Sequence, residues 1–251
     1  MDRSESFQPP DLRFPSFRIR GVFRAGIFRK KMPAELVLIG GASVLINYGF
    51  RNMTTDIDAL ILAASAMKEA INRIGDRYGL PNGWLNADFM NTDSYSVNLS
   101  QFSVYYKTYS NTVTIRTVAA EYLVAMKLRS GRQYKSDLSD ILGILAEHEK
   151  RGTPITLEKI YKAVTDLYGT WENLPESSQA FIENVMEDGR FGELYEQTVS
   201  GEREVGSLLV QFEQNYPNVI TDKNAEEIAE NLQKKTDRAS ILAKLREKKP
   251  D

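Results

Sequence analysis

The sequence predicts a mixed α/β (α+β) fold in which a small mixed sheet is followed by a helical C-terminal domain. Up to residue 118, short apolar or β-rich runs alternate with amphipathic helical segments. From residue 119 the helical period continues almost without interruption. Hydrophobic residues make up 42% and charged residues 26% of the 251 residues, which is typical of a globular chain that buries a full core.

The first half is predicted to contain two strand-helix pairs and then two β-rich runs. The apolar run Leu36–Ile39 stops at Gly40-Gly41, which indicates a buried strand followed by a tight turn. One-sided apolar periodicity predicts the helices, and β-branched or aromatic residues between turn signals predict the later strands. After the glycines, the predicted elements are a helix at 42–48, a strand at 56–62, a helix at 65–78, and β-rich runs at 97–106 and 112–118.

The second half is predicted to be helical. Its apolar residues recur at helical spacing between short loops, and no repeat of 20–50 residues suggests a solenoid. The predicted helices are 119–130, 136–149, 156–168, 175–186, 202–216 and 224–235.

Charge divides the chain into three segments. Residues 1–33 carry a net charge of +5, residues 34–171 of 0 and residues 172–251 of -7. The first segment is rich in proline and arginine and shows neither period, so we expect a basic, flexible N-terminal arm. The predicted organisation is an arm at 1–33, an α/β core at 34–118, a helical domain at 119–235 and a charged tail at 236–251.

Composition excludes several kinds of chemistry. Without cysteine there are no disulfides, zinc-thiolate sites or cysteine nucleophiles. The single histidine, His148, cannot form a multi-histidine metal site, and a Ser-His-Asp triad would need a better-placed imidazole. We expect His148 at the surface near a helix end. Neither a secretory signal nor an apolar stretch long enough to cross a membrane is apparent, so we expect a cytoplasmic protein.

The candidate chemistry is concentrated between residues 40 and 58. If Asp56 begins a strand, Asp56 and Asp58 point to the same face with Cα atoms about 6.5–7 Å apart. Two converging carboxylates suit a divalent cation such as Mg²⁺, although an Asp-x-Asp pair is also common as a solvated turn or cap.

The glycine pair supplies a complementary feature. Gly40-Gly41 at a strand end before a helix allows close backbone approach and offers free N–H groups to a phosphate, and Ser43 could add a hydroxyl. A simple tight turn is the alternative. Neither the dinucleotide-binding Gly-x-Gly-x-x-Gly pattern nor a P-loop pattern is present.

Together these residues resemble a known group of enzymes. The glycine loop, then Arg51, Thr54-Thr55 and Asp56-Ile57-Asp58, is similar to the nucleotidyltransferase fold of the polymerase-β superfamily, and more narrowly to MNT-like and AbiEii/AbiGii toxin-type members. The helix around Lys127, with Arg132 and the run from Lys135 to Asp140, resembles a later motif of the same proteins. The resemblance covers about residues 34–150.

The resemblance implies an enzyme that moves a nucleoside monophosphate from an NTP to a hydroxyl acceptor. It implies that Asp56 and Asp58 hold Mg²⁺ or Mn²⁺, and that Lys127 and Asp137 complete the catalytic site. The triphosphate would be bound by a set of backbone and side-chain groups from Gly40, Gly41, Ser43, Arg51 and Thr55. Surface ion pairs are the alternative for Lys127 and Asp137.

The acceptor is predicted from local charge. Lys127, Arg129, Arg132 and Lys135 fall within nine residues. Arg116, on the second β-rich run, could add to them, and a solvent-facing strand arginine is the alternative. Such an excess favours a phosphate-bearing acceptor, such as a tRNA 3′ end, over a cationic antibiotic. The toxin-type resemblance also implies a cognate antitoxin as partner.

One departure from the family pattern favours a second reading. Between Tyr78 and Ala120 only Asp88 and Asp93 are acidic, and neither lies in a β-rich run, so a third strand carboxylate is missing. The alternative function is therefore a catalytically degenerate nucleotide-binding protein whose acidic helical part docks a partner.

Overall fold

The computed structural model describes residues 14–15, 34–51, 53–54, 56–63, 66–109, 111–132, 135–221 and 224–235. The predicted tail at 236–251, and the predicted arm apart from residues 14–15, lie outside the described residues.

The predicted mixed sheet is confirmed. Five strands lie in the order β5-β4-β2-β7-β6, with β2 antiparallel to β4 and parallel to β7. A separate two-stranded ladder pairs β1 of the N-terminal segment with β3, immediately before the Asp-x-Asp segment. The strands are β1 Phe14–Pro15, β2 Ala34–Leu38, β3 Met53–Thr54, β4 Ile57–Ala63, β5 Leu85–Asn86, β6 Ser103–Tyr109 and β7 Val113–Val118.

Helices dominate the chain after β7, as predicted. The helices are α1 Gly40–Asn47, α2 Ala66–Tyr78, α3 Ala120–Ser130, α4 Asp137–Lys150, α5 Leu157–Tyr168, α6 Glu176–Asp188, α7 Phe191–Asn215 and α8 at 225–235. None of the helices within the described ranges is long and apolar enough to cross a membrane.

The central strand β2 places a core on each face of the sheet. Because side chains alternate along a strand, Val37 and Ile39 join the core formed with α3–α6, whereas Leu36 and Leu38 join the core on the α2 side. Trp84 belongs to the second core, and its indole N–H donates to the carbonyl of Ile71 at 3.2 Å.

Three predicted boundaries are wrong. The first helix begins at Gly40 rather than at residue 42, because the glycines are part of its first turn. Residues 97–102 form a turn and a 3₁₀ segment rather than a strand, and the Ser103 hydroxyl donates to the Ser100 carbonyl at 2.7 Å to close it. Helix α7 begins at Phe191, eleven residues before its predicted start.

Candidate functional site

A cleft lies between the ends of β2 and β4 and the helices α3 and α4. Its sheet side contains Gly40, Gly41, Arg51, Asp56 and Asp58. Its helical side is formed in part by Lys127, Arg132, Lys135 and Asp137. The structure therefore brings seven of the nine predicted site residues to one cleft.

Strand β4 and the residue before it place two acidic side chains at this cleft. Ile57 and Ala59 are buried in the core on the α2 side, so the alternating Asp58 faces the opposite side, where α3 lies. The carbonyl of Asp58 accepts from the amide of Ile39 at 2.9 Å, which fixes it beside the start of α1. Asp56 immediately precedes β4 and lines the same cleft.

The glycine pair allows a close approach that side chains would prevent. Gly40 has φ +52°, and a Cβ there would lie 3.5 Å from Asp58 Oδ2. A Cβ on Gly41 would lie 2.6 Å from Thr54 Oγ1 and 3.0 Å from Arg51 Nη2. The N-terminus of α1, which no described side chain caps, thus faces a guanidinium and a carboxylate at short range.

Gly41→Ala is expected to destabilise the protein by about 1–3 kcal/mol, because buried Thr54 and Arg51 must both move to admit the methyl group. Urea unfolding measures this change. Gly206→Ala is the matched control, because Gly206 lies inside α7 with no heavy atom within 4 Å of its added Cβ. The free energy of unfolding of that control should rise by about 0.5–1 kcal/mol. Equal stability of Gly41→Ala and the wild type would contradict the close approach.

Lys127 is the centre of a buried ion-pair network. Its Nζ lies 2.7 Å from Asp137 Oδ1 and 2.8 Å from Asp140 Oδ2. Arg132 Nε pairs with the other oxygen of Asp137 at 2.9 Å, and Arg51 pairs with Asp140. Lys127, Asp137 and Asp140 are at most 8% exposed, so the interpretation of these residues as surface ion pairs is wrong.

The network holds Lys127 and Asp137 in their charged forms. Burial alone would raise the pKa of Asp137, but Lys127 and Arg132 outweigh it and hold that pKa far below the usual range. Burial alone would lower the pKa of Lys127, but Asp137 and Asp140 outweigh it and raise that pKa above the ordinary lysine value. Asp137 is consequently a poor proton acceptor near neutral pH.

Glu202 supports this network from the C-terminal part of the chain. Its carboxylate accepts from the amide of Ser139 at 3.1 Å and from the Ser139 hydroxyl at 2.5 Å. Ser139 lies in the first turn of α4 between Asp137 and Asp140, so Glu202 caps the helix that carries both. Burial, together with the nearby Asp140 and Asp137, raises the pKa of Glu202 to about 7.

Glu202→Gln should therefore change how stability depends on pH. A raised carboxyl pKa favours the protonated form in the folded protein, so the wild type loses stability as pH rises from about 4.5 toward about 7. Glutamine can accept from the Ser139 amide and donate to its hydroxyl without this loss. We expect the variant to exceed the wild type by on the order of 1 kcal/mol at pH 8 and to match it at pH 5.

Thermal unfolding at the two pH values measures this difference. Glu204→Gln, on the exposed side of the same helix, is the control and should follow the wild type at both. A Glu202→Gln variant with the same pH dependence as the wild type would contradict the raised pKa.

The structure does not place the remaining predicted residues on the cleft wall. Ser43 is fully buried, and its hydroxyl has no hydrogen-bond partner among the described residues. Thr55 lies outside the described residues. Arg116 donates to the hydroxyl and carbonyl of Ser103 at 2.7 and 2.6 Å and does not line the cleft.

His148 lies in the last turn of α4, near a helix end as predicted, and is half-buried rather than fully exposed. Its Nε2 lies 3.1 Å from the hydroxyl of Tyr48, and its Nδ1 lies 3.2 Å from the Thr153 carbonyl. Partial burial lowers its pKa, which favours the neutral ring. The histidine therefore joins α4 to the end of α1 away from the cleft.

The acidic pair suits a hard cation that also binds the substrate. Among the residues that the structure describes, no three carboxylate or imidazole groups converge as a metal site. Mg²⁺ needs only one or two protein carboxylates when substrate phosphates and water complete its octahedron. Asp56 and Asp58 therefore fit a metal that arrives with a triphosphate, and do not form an all-protein metal cage.

Residues 22–169 match the model of a family described as "nucleotidyltransferase of unknown function (DUF6036)". The match spans more than half of the chain, so the protein belongs to this family of nucleotidyltransferases and is a transferase. Helices α6, α7 and α8, and with them Glu202, lie beyond the matched range. No curated protein and no solved structure matches the chain at a significant level.

Proposed function

We propose that the protein transfers a nucleoside monophosphate from a Mg²⁺-bound NTP to a hydroxyl group of an RNA acceptor. The observation that carries this proposal is the cleft itself, where an uncapped helix N-terminus, an arginine and two strand carboxylates meet a buried lysine. Family membership supports nucleotidyl transfer. The metal, the acceptor and the residue roles below are parts of the proposal.

The glycine end of the cleft binds the triphosphate in this proposal. The first N–H groups of α1 and its positive dipole end favour an anion, and Arg51 adds a cation beside Gly41. Asp140 holds Arg51 from the helical side, so the guanidinium is oriented before the substrate binds. Lys127 lines the same cleft from α3, where Asp137 and Asp140 hold its ammonium group.

Asp56 and Asp58 would hold the metal, which neutralises negative charge on the phosphates and polarises the α-phosphate when bound. The acceptor oxygen forms a bond to the α-phosphorus, the bond from that phosphorus to the bridging oxygen breaks, and pyrophosphate leaves. Asp58 takes the acceptor proton at a carboxylate oxygen. Asp137 positions Lys127 rather than acting as base, because its pKa is far below the usual range.

Cleft charge supports a phosphate-bearing acceptor, with a correction to the predicted basic cluster. Lys127 is neutralised by two carboxylates, and Arg129 lies over the ring of Tyr168 and donates to the Asp93 carbonyl. Arg132, which pairs with Asp137, and Lys135 both line the cleft wall. These two are the proposed contacts with acceptor phosphates.

Incubation with each α-labelled NTP, Mg²⁺ and, separately, total tRNA, cell protein and an aminoglycoside tests the acceptor. We expect label on RNA only. Lys135→Ala should flatten the dependence of log affinity for RNA on log salt by about 0.7, because it removes one single-strand phosphate contact. Lys162→Ala, at an exposed position of α5, is the control for lost charge. Label on protein or drug with RNA clean would overturn the RNA acceptor.

The resemblance to toxin-type nucleotidyltransferases extends the proposal to a cytoplasmic toxin with a cognate antitoxin. We expect expression of this protein alone to arrest growth, and co-expression of the antitoxin encoded by a neighbouring reading frame to relieve the arrest. Arrest by an Asp58→Asn variant as strong as that by the wild type would contradict a role for nucleotidyl transfer in toxicity.

A degenerate, non-catalytic family member is the second candidate, and one observation favours it. Strand β7, which pairs with β2 on the side away from β4, is Val113–Val118 and contains no aspartate or glutamate. No carboxylate therefore stands on the neighbouring strand at this level. Such a protein would bind Mg-NTP and release no pyrophosphate.

A further inference from the structure

Two hydroxyl groups lie in a part of the cleft that the proposed function has not used. Thr92 and Ser94 line the cleft on the segment that follows β5. Phe89 and Met126, both buried, also line the cleft and add apolar surface to it. An apolar wall with a few fixed polar groups is typical of a site that holds a small organic ligand such as a nucleobase.

The direction of the hydrogen bonds in this pair is fixed by chemistry. Thr92 Oγ1 lies 2.6 Å from the carbonyl oxygen of Phe89, and a carbonyl only accepts, so Thr92 donates its single proton there. Ser94 Oγ lies 3.0 Å from Thr92 Oγ1. With the Thr92 proton engaged, Ser94 must be the donor to Thr92. Ser94 then has lone pairs left for a ligand and no proton.

The segment that carries Ser94 is held from the helical side. The hydroxyl of Tyr168 donates to the Ser94 carbonyl at 2.7 Å, and Arg129 donates to the Asp93 carbonyl at 3.3 Å. Burial raises the pKa of Tyr168, so its hydroxyl keeps the donated proton. The amide of Tyr95 also donates to the carbonyl of Thr92 at 3.1 Å. The acceptor on Ser94 is consequently preorganised.

We propose that Ser94 accepts a hydrogen bond from the exocyclic amino group of the substrate's base, so that the cleft selects adenine or cytosine nucleotides. This inference rests on the proposed function and names its substrate class. Adenine and cytosine present an amino donor at the 6- and 4-positions, where guanine and uracil present a carbonyl acceptor. A carbonyl facing the Ser94 lone pairs would leave two acceptors opposed.

Binding of matched nucleotides tests the proposal. ATP is compared with ITP, and CTP with UTP. In each pair the second nucleotide has a carbonyl in place of the amino group and a hydrogen on the adjacent ring nitrogen. Dissociation constants are measured with Mg²⁺ by thermal-shift titration. We expect the amino member of each pair to bind about 10-fold more tightly, as the loss of one hydrogen bond predicts.

Three variants connect this preference to the hydroxyl pair. Ser94→Ala removes the acceptor, and Thr92→Val releases the Ser94 proton from Thr92 so that Ser94 can donate as well as accept. Both should reduce the preference to within about 2-fold. Thr92→Ser keeps the hydroxyl that donates to Phe89 and accepts from Ser94, so it should retain the full preference for the amino nucleotides. The apo melting temperature of each variant shows whether it has folded.

The outcomes separate this inference from the function on which it rests. Equal affinities within each pair, or a preference that survives Ser94→Ala, would overturn the inference and leave the function standing. Loss of discrimination between NTPs and 2′-deoxy-NTPs in Ser94→Ala, with base preference unchanged, would assign the acceptor to ribose and overturn the base reading. Failure of every nucleotide to bind would overturn both.

Discussion

Lys127→Met will destabilise the folded protein by about 3 kcal/mol or more, although it keeps most of the side-chain volume. The ammonium group lies between two buried carboxylates, at 2.7 Å from Asp137 and 2.8 Å from Asp140. Each carboxylate keeps one arginine partner, Arg132 or Arg51, which limits the loss to the lower part of the range for a broken buried pair.

Urea unfolding of Lys127→Met and Lys162→Met measures this effect against a matched control. Lys162 pairs with Asp166 at 2.6 Å, but its side chain is 70% exposed, so its replacement should cost less than about 1 kcal/mol. Adding Asp137→Asn to Lys127→Met should restore part of the lost stability, because it removes a buried carboxylate that has lost one of its two cationic partners. Equal small losses for the two lysine variants would show that the network is not buried in solution.

Asp56→Asn will remove the stabilisation that Mg-NTP gives to the wild type. At a ligand concentration 100-fold above Kd, the wild type should gain about 2.7 kcal/mol, whereas the variant should gain little at the same concentration. Asparagine keeps the size of the side chain and loses the charged oxygen that Mg²⁺ prefers. Melting curves without ligand, with Mg²⁺ alone and with Mg-NTP give the measurement.

Asp88→Asn is the matched control for this experiment. Asp88 is an exposed acid on the 3₁₀ segment after β5, does not line the cleft, and undergoes the same charge change. Mg-NTP should stabilise Asp88→Asn by as much as it stabilises the wild type. A full gain in Asp56→Asn would show that this carboxylate does not take part in binding Mg-NTP.

The sequence predicted where Gly40, Gly41 and Asp58 lie because two local rules applied there, whereas it did not reveal that Ser43 is buried. Strand alternation placed Asp58 opposite to Ile57 and Ala59, and a glycine pair after a buried run indicated a close backbone approach. Both features involve neighbours along the chain. The structure confirms the mixed α/β class for the same reason, since each element followed from its own periodicity.

The helical side could not be predicted in the same way. Every residue from Tyr122 to Leu128 is buried, so periodicity gives no signal that Lys127 lies inside. Glu202 acts on Ser139 across 63 residues, and only tertiary packing of α7 on α4 brings them together. The same packing extends α7 back to Phe191 through Gly192 and Gly201, which local propensity disfavours.

The strand predicted at residues 97–106 was wrong in its first half for a local reason. Side-chain hydrogen bonds compete with the strand there, because Ser96 Oγ accepts from the Asn98 amide and Ser103 Oγ donates to the Ser100 carbonyl. The β-rich composition of this run outweighed these turn residues in the prediction. The strand proper begins at Ser103.

Release of pyrophosphate from Mg-NTP by the purified protein, with total RNA as acceptor, tests the central claim most directly. The claim is that the Asp56 and Asp58 end of the cleft carries out nucleotidyl transfer. We predict release by the wild type and by Asp88→Asn, no release without Mg²⁺, and at least about a 100-fold slower rate in Asp58→Asn. Binding of Mg-NTP by the wild type without pyrophosphate release from any acceptor mixture, or undiminished release by Asp58→Asn, would contradict the claim.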